Sequence, residues 1–273
     1  MKIRKAHPMV DRLKLLVILL MLLFLLLALA QKLEQRRWKS STMDNFFQTA
    51  MKPVGTTMYI WGGGWDVQDA KAGEEATRMG VSPMWKTFAD MQDENYDFEK
   101  HRWEREHGLD CSGYVGWVVY NTFETENGKE GYVTQSTDIA ETYASWGWGA
   151  VKKNPKEFLP GDIVSMQGHV WICLGTCADE SVVLVHSSPP GVMVCGTSLE
   201  SSKTKSIAVQ LAEEFMSKYY PEWYKKYPNC EKPHTYLDNV MVFRWNTCTF
   251  TDAEQFQNMS GEAILEYLKN SRE

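Results

Sequence analysis

Positive charge is scarce over most of this 273-residue chain. Residues 1–40 carry nine Lys and Arg against Asp11 and Glu34, a charge of +7, while the whole chain stands at −6, so everything after residue 40 carries −13. Phosphate binding needs a basic face. A body that acidic argues against nucleic acid as a partner and suits a cationic or zwitterionic ligand. Internal repeats are missing too, as is low-complexity sequence apart from one leucine-rich run. With 44% hydrophobic and 23% charged residues the chain can build a packed core, which excludes wholesale disorder. A metal site is poorly supplied: His101, His107 and Cys111 have spacings that fit no zinc pattern, and no fourth ligand stands near them.

Polar groups are entirely absent from "LLVILLMLLFLLLALA", residues 15–30. In length this run falls between a signal-peptide core and a spanning helix. The small residues at 28–30 suit cleavage, whereas the basic cluster ahead of the run suits an anchor with a cytoplasmic N-terminus. Either reading exports the body, so residues 1–31 are expected to be a membrane anchor or signal segment, with membrane contact through 15–30. Export gives the six cysteines weight. If Cys111 is set aside as reactive, Cys173, Cys177, Cys195, Cys230 and Cys248 form an odd set, and no disulfide framework follows. A Cys173–Cys177 bridge and two separate thiols both stay open.

Residues 32–50 read as a polar linker, 51–250 as the main domain and 251–273 as a tail with a short helix. In "TMYIWGGGWD" (57–66) three glycines mark a tight loop. Residues 67–108 are acidic, aromatic and too poor in aliphatics to build a core of their own, so they are expected to form a cover or rim. "DCSGYVGWVVYNTF" places Asp110 as a helix N-cap ahead of Val115, Val118, Val119 and Thr122 at helical spacing. Helices are also expected over 137–145, 206–220 and 260–270. From "LPGDIVSM" onward the period changes to two, giving strands at 162–166, 168–174, 181–187, 191–195 and 239–245. Helices first and an antiparallel meander afterwards predict an α+β domain.

Cys111 stands in the first turn of its helix, where unpaired N–H groups and the dipole favour a thiolate and the Cys111 N–H can serve an oxyanion. Asp110 opposes this, since a carboxylate raises a thiol pKa, so it is assigned to capping the helix or holding a substrate ammonium. A hairpin of 168–174 and 181–187 around "GTCADE" sets His169 opposite His186, Trp171 opposite Leu184 and Cys173 opposite Val182. Its other face pairs only apolar residues, and a slip of one residue would break that sidedness. Opposed side chains stand about 5 Å apart, so one imidazole can orient the other. Nucleophile, base and orienting group are the parts of a triad.

"YIWGGGWD", "LDCSGYV", "LPGDIVSMQGHVWICLG" and "VLVHSSPPGV" resemble successive blocks of the NlpC-type bacterial cell-wall cysteine endopeptidases. The likeness covers roughly residues 55–195. It implies a papain-like fold, an antiparallel sheet packed against a helix that carries the nucleophile at its N-terminus. It also implies Cys111 as nucleophile, His169 as base and His186 as the third, orienting residue. Tyr59 matches a site-lining tyrosine, and Asp110 and Ser112 match positions that can bind the free amine of a peptidoglycan stem peptide. The implied activity is cleavage of the D-glutamyl to diamino acid bond, with no cofactor, outside the cytoplasm in the cell envelope. The chain departs from the family pattern in the 67–108 insertion, and in Trp171 and Cys173, which replace a Gly and a Tyr after the base.

Other readings of the same residues stand beside this one. Cys111 as a core thiol or disulfide half, His107 as the base, and His186 as a sheet histidine that merely satisfies its own hydrogen bonds are the local alternatives. The aromatics of "YYPEWYKKYP" (219–228) read as a cover over the sheet or as a carbohydrate platform. "NMSG" (258–261) reads as a helix cap or a glycosylation sequon. At the level of function, the alternatives are a non-catalytic envelope-binding protein and an amidase or acyltransferase using the same Cys-His site.

Overall fold

The computed structural model describes residues 14–27, 41–123, 131–200 and 204–271. It has two units, residues 1–40 and 41–273. In the first, residues 14–27 form helix α1, with exposed side chains. Among the described residues no helix is long and apolar enough to cross a membrane. Residues 28–30, which both the anchor and the signal reading use, lie outside the described residues, as do 1–13 and 31–40.

In the second unit, the linker expected over 32–50 gives way to a helix, α2 (Met43–Met51). Met43, Phe46, Phe47 and Ala50 recur at helical spacing and are buried, and the Thr42 hydroxyl caps the helix by accepting from the Asn45 N–H at 3.0 Å. The polar residues between them masked this pattern. Along the chain follow β1 (Met58–Tyr59), α3 (Pro83–Met91), β2 (Gly108–Leu109), α4 (Cys111–Phe123), α5 (Ile139–Ser145) and β3 (Gly149–Lys153). Next come β4 (Ile163–Met166), β5 (His169–Thr176), β6 (Val182–Ser188), β7 (Gly191–Thr197), α6 (Ile207–Tyr219), α7 (Pro221–Lys226), β8 (Glu231–Lys232), β9 (Met241–Trp245) and α8 (Gly261–Asn270).

The nine strands form one sheet in the order β2-β1-β7-β6-β5-β4-β9-β3, with β8 beside β7. The expected antiparallel meander is β4 to β7. The sheet is not antiparallel throughout, because β1 pairs with β2 and β7 with β8 in parallel. The fold is mixed α+β. Every residue of α4 is buried, and the helix lies against β5, β6 and α2. That is why its sequence lacks a polar stripe.

The hairpin register differs from the expected one by two residues. Ile172 pairs with Val185 and Cys173 with Leu184, and a bulge then shifts the ladder so that Gly175 pairs with Val183. Strand β5 runs on through Gly175 and Thr176, which leaves a shorter turn than "GTCADE" and draws the partners along. At Gly175, φ is +134° and an added Cβ would lie 2.8 Å from the Gly261 nitrogen, so the bulge sits where α8 approaches the sheet. A shift of two conserves the face each side chain takes. The sidedness argument therefore survives the wrong register.

Segment 67–108 docks on the body. Trp85 of α3 is buried edge-on against Trp117 of α4, with ring centroids 5.7 Å apart. The "YYPEWYKKYP" stretch holds it from the other side: the Tyr227 hydroxyl donates to the Asp93 carbonyl at 2.6 Å, and the Lys226 ammonium to that of Gln92. Trp223 and Tyr227 are buried, which removes them from a carbohydrate platform. The tail expected over 251–273 is part of the core as well, since Ile264, Leu265 and Leu268 of α8 are buried. Asp162, of the Pro-Gly-Asp stretch, receives Arg244 of β9 through two hydrogen bonds of 2.8 and 2.7 Å, which pins β4 to β9.

Candidate active site

Two glycine clusters build the mouth of α4. The loop 62–64 lies on the Gly108–Gly113 segment, and the Gly63 carbonyl accepts the Asp110 N–H at 3.0 Å. A Cβ on Gly113 would strike that carbonyl oxygen, and one on Gly64, where φ is +89°, would come within 2.6 Å of the Gly113 Cα. Only glycine permits this approach. Asp110 then caps the helix as expected: its Oδ1 accepts the Gly113 N–H at 2.7 Å and the Ser112 hydroxyl at 2.9 Å. The Trp65 indole N–H donates to Ser112 Oγ at 3.0 Å. The Gly62 N–H and the Trp65 indole also reach the Asp110 carboxylate. Ser187 of β6 ties the mouth to the sheet by donating to the Leu109 carbonyl at 2.7 Å.

Cys111 opens α4, and backbone N–H groups of the helix mouth and of Val170 on β5 lie near enough to its sulfur to favour the thiolate. The last contact brings the thiol to the strand that begins with His169. Nε2 of His169 lies 2.8 Å from Nδ1 of His186, with the two rings edge to face. This bond occupies one nitrogen of His169 and leaves Nδ1 for another partner. Cys111 is thus set against the strand that begins with His169, and His169 and His186 are hydrogen-bonded diagonally across β5 and β6.

Charge is costly here. Burial, and secondarily Asp110, push the Cys111 thiol up to about 12. Burial, with the Lys232 charge second, pushes His169 down to about 3, and His186 goes well below the usual histidine range for the same reasons. The thiolate expected from the helix mouth is therefore corrected. Backbone donors do favour it, but desolvation is larger, and thiol and imidazole are both neutral at rest. Burial also raises Asp110, to about 6. Tyr59, which lines the same cleft as Cys111 and Asp110, is raised by burial and then by the charges of those two groups.

A cleft of about 390 Å³ opens over the thiol. It is lined by Tyr59, Asp110, Cys111 and Ser112, by Trp61, Trp65 and Trp103, and by residues 135–137 and 167–168. Trp103, from the 67–108 segment, supplies the rim expected of it. His107 is not the base: it stacks flat on Phe88 at 4.3 Å and, like His101, hydrogen-bonds Glu104. None of the six cysteines forms a disulfide, Cys173 and Cys177 included.

Two neighbours of the histidine pair escape the sequence reading. The Tyr236 ring packs against His169 and His186 with centroids 5.5 and 6.1 Å away. The Cys195 sulfur lies 3.5 Å from Nε2 of His186. Strand alternation could have found Cys195, had 191–195 been set in register with 181–187. Nothing local marks Tyr236, which arrives from a short 3₁₀ turn at His234–Leu237.

No family model matches the chain, and no curated protein or solved structure matches it significantly.

Proposed function

We propose that this chain is an exported cysteine hydrolase of papain-like, NlpC type that cuts peptidoglycan stem peptides between D-glutamate and the diamino acid. One observation carries the proposal: a thiol at a helix N-terminus, lining a cleft and set against strand β5, whose first residue is a histidine hydrogen-bonded to a second histidine at 2.8 Å. Nδ1 of His169 takes the Cys111 proton as sulfur attacks the scissile carbonyl carbon. The oxyanion forms next to the Cys111 N–H and the Tyr59 hydroxyl. The imidazolium then protonates the leaving amine, and water attacks the thioester to release the acid and regenerate the thiol. Burial disfavours either charge alone, but the proton passes within the pair and leaves its net charge unchanged. Asp110 and Ser112, which line the cleft, receive the ammonium of the stem peptide, in keeping with an acidic body. Residues 15–30 hold the enzyme at the membrane or direct its export.

The test is incubation of the full-length protein with purified peptidoglycan, with released fragments identified by mass. New free amines on the diamino acid are expected, and Cys111→Ala should abolish them. Intact peptidoglycan under conditions where Cys111 still alkylates would overturn the proposal.

A further inference from the structure

Behind the histidine pair, the chain of hydrogen bonds runs on to a second thiol. Met193 stands opposite His186 in the β6–β7 ladder, so Cys195, two residues on, shares its face. Its sulfur is fully buried and meets Nε2 of His186 at 3.5 Å, within sulfur hydrogen-bond distance. From the cleft inward the order is Cys111, His169, His186, Cys195.

That order permits two proton arrangements. In one, His169 donates from Nε2 to Nδ1 of His186, and His186 donates from Nε2 to the Cys195 sulfur. Nδ1 of His169 is then bare and can accept the Cys111 proton. In the other, the Cys195 S–H donates to Nε2 of His186, and Nδ1–H of His186 donates to Nε2 of His169. The His169 proton then sits on Nδ1, facing the nucleophile, and the ring cannot act as a base. Both arrangements hold the same number of protons, so the partner of His186 Nε2 selects between them.

We infer that Cys195 is a positioning residue that accepts the Nε2–H of His186 and thereby fixes His169 in the tautomer that can deprotonate Cys111. This rests on the reading of His169 as the base. A buried imidazole N–H left without an acceptor is disfavoured, and the Cys195 sulfur is the acceptor placed at that atom. The neighbouring Lys232 charge lowers the basicity of both rings and so opposes an extra proton on the pair.

The full-length protein, labelled with ¹⁵N-histidine, reports the tautomers through two-bond correlations between ring nitrogens and carbon-bound protons. The expected spectrum has the neutral proton on Nε2 of both His169 and His186. A native His186 protonated on Nδ1 overturns the inference without any variant. Cys195→Ala should mix the His186 tautomers and slow iodoacetamide alkylation of Cys111 at pH 7 by roughly two- to tenfold, the range one hydrogen bond supplies. Cys195→Ser, whose hydroxyl oxygen accepts the same bond, should restore both readouts. An unchanged tautomer and rate in a folded Cys195→Ala protein would also overturn it. Neither readout needs a substrate. A protein that shows these tautomers yet leaves peptidoglycan intact sinks the hydrolase reading, and the role of Cys195 stands.

Discussion

The resting state of Cys111 can be measured directly, by its alkylation rate in the native protein and in Asp110→Asn. With the thiol pushed up to about 12, the thiolate fraction at pH 7 is about one part in 10⁵, against a few per cent for an ordinary cysteine near 8.5. Cys111 should therefore label slowly with iodoacetamide near pH 6.5, with a rate still climbing above pH 9. Cys248 is the exposed one of the six cysteines and should label ahead of it, so the assay is cleanest in a Cys248→Ser background. Asp110 is the second cause of the upward shift, after burial. At an effective dielectric of about 20, a charge on the neighbouring residue is worth on the order of 3 kcal/mol, or about two pK units. Asp110→Asn removes that charge, lowers the thiol pKa and should speed labelling at pH 7 by about 100-fold. Peptide mapping by mass assigns the site. Rapid labelling of Cys111 in the native protein at pH 6.5, with the ultraviolet absorbance of a thiolate, would refute the reasoning, because the ion pair would then outweigh desolvation.

Three further outcomes are expected. His169→Ala should abolish turnover on a defined stem peptide, and His186→Ala should cost on the order of 10²- to 10⁴-fold with the thiol still in place, part of which His186→Asn returns through its amide oxygen. Asp110 has a folded-state pKa of about 6 against an ordinary 3.8, so between those values the native state keeps a proton that the unfolded state releases. Stability should then fall by about 3 kcal/mol as pH rises from about 4 to above 6, read as a lower urea midpoint that Asp110→Asn does not show. Asp162→Ala leaves Arg244 without its buried partner and should cost about 3–5 kcal/mol in urea unfolding, while the bond between His169 and His186 persists in the folded fraction.

Local chemistry was readable in the sequence wherever one short stretch sets it. The Asp110 cap, the start of α4 at Cys111 and the Ser260 cap of α8 each depend on residues within a few positions of one another, and the meander from β4 to β7 joins strands that follow one another along the chain. The two-residue strands β1 and β2 had no such signal. They exist because the glycines at 63, 64, 108 and 113 let two distant segments lie almost in contact, and a glycine run tells where the backbone can approach, not what it approaches. Helix α2 was misread because Asp44, Asn45 and Gln48 make its composition polar, although its buried face repeats at helical spacing.

The histidine pair shows how a wrong register can still place a site. Face depends on parity alone, so an error of two residues left His169 and His186 on one face and turned an opposed pair into a diagonal one. Long imidazole side chains closed the remaining distance to 2.8 Å. The charge state had no such protection. A helix N-terminus is visible in four residues, whereas burial of Cys111 depends on β5, on the glycine loop and on the rim, brought together by the whole fold. Desolvation is set by that assembly and dipole by the local turn. The larger effect was therefore the one the sequence could not show, and the sign of the thiol's shift reversed while its place did not.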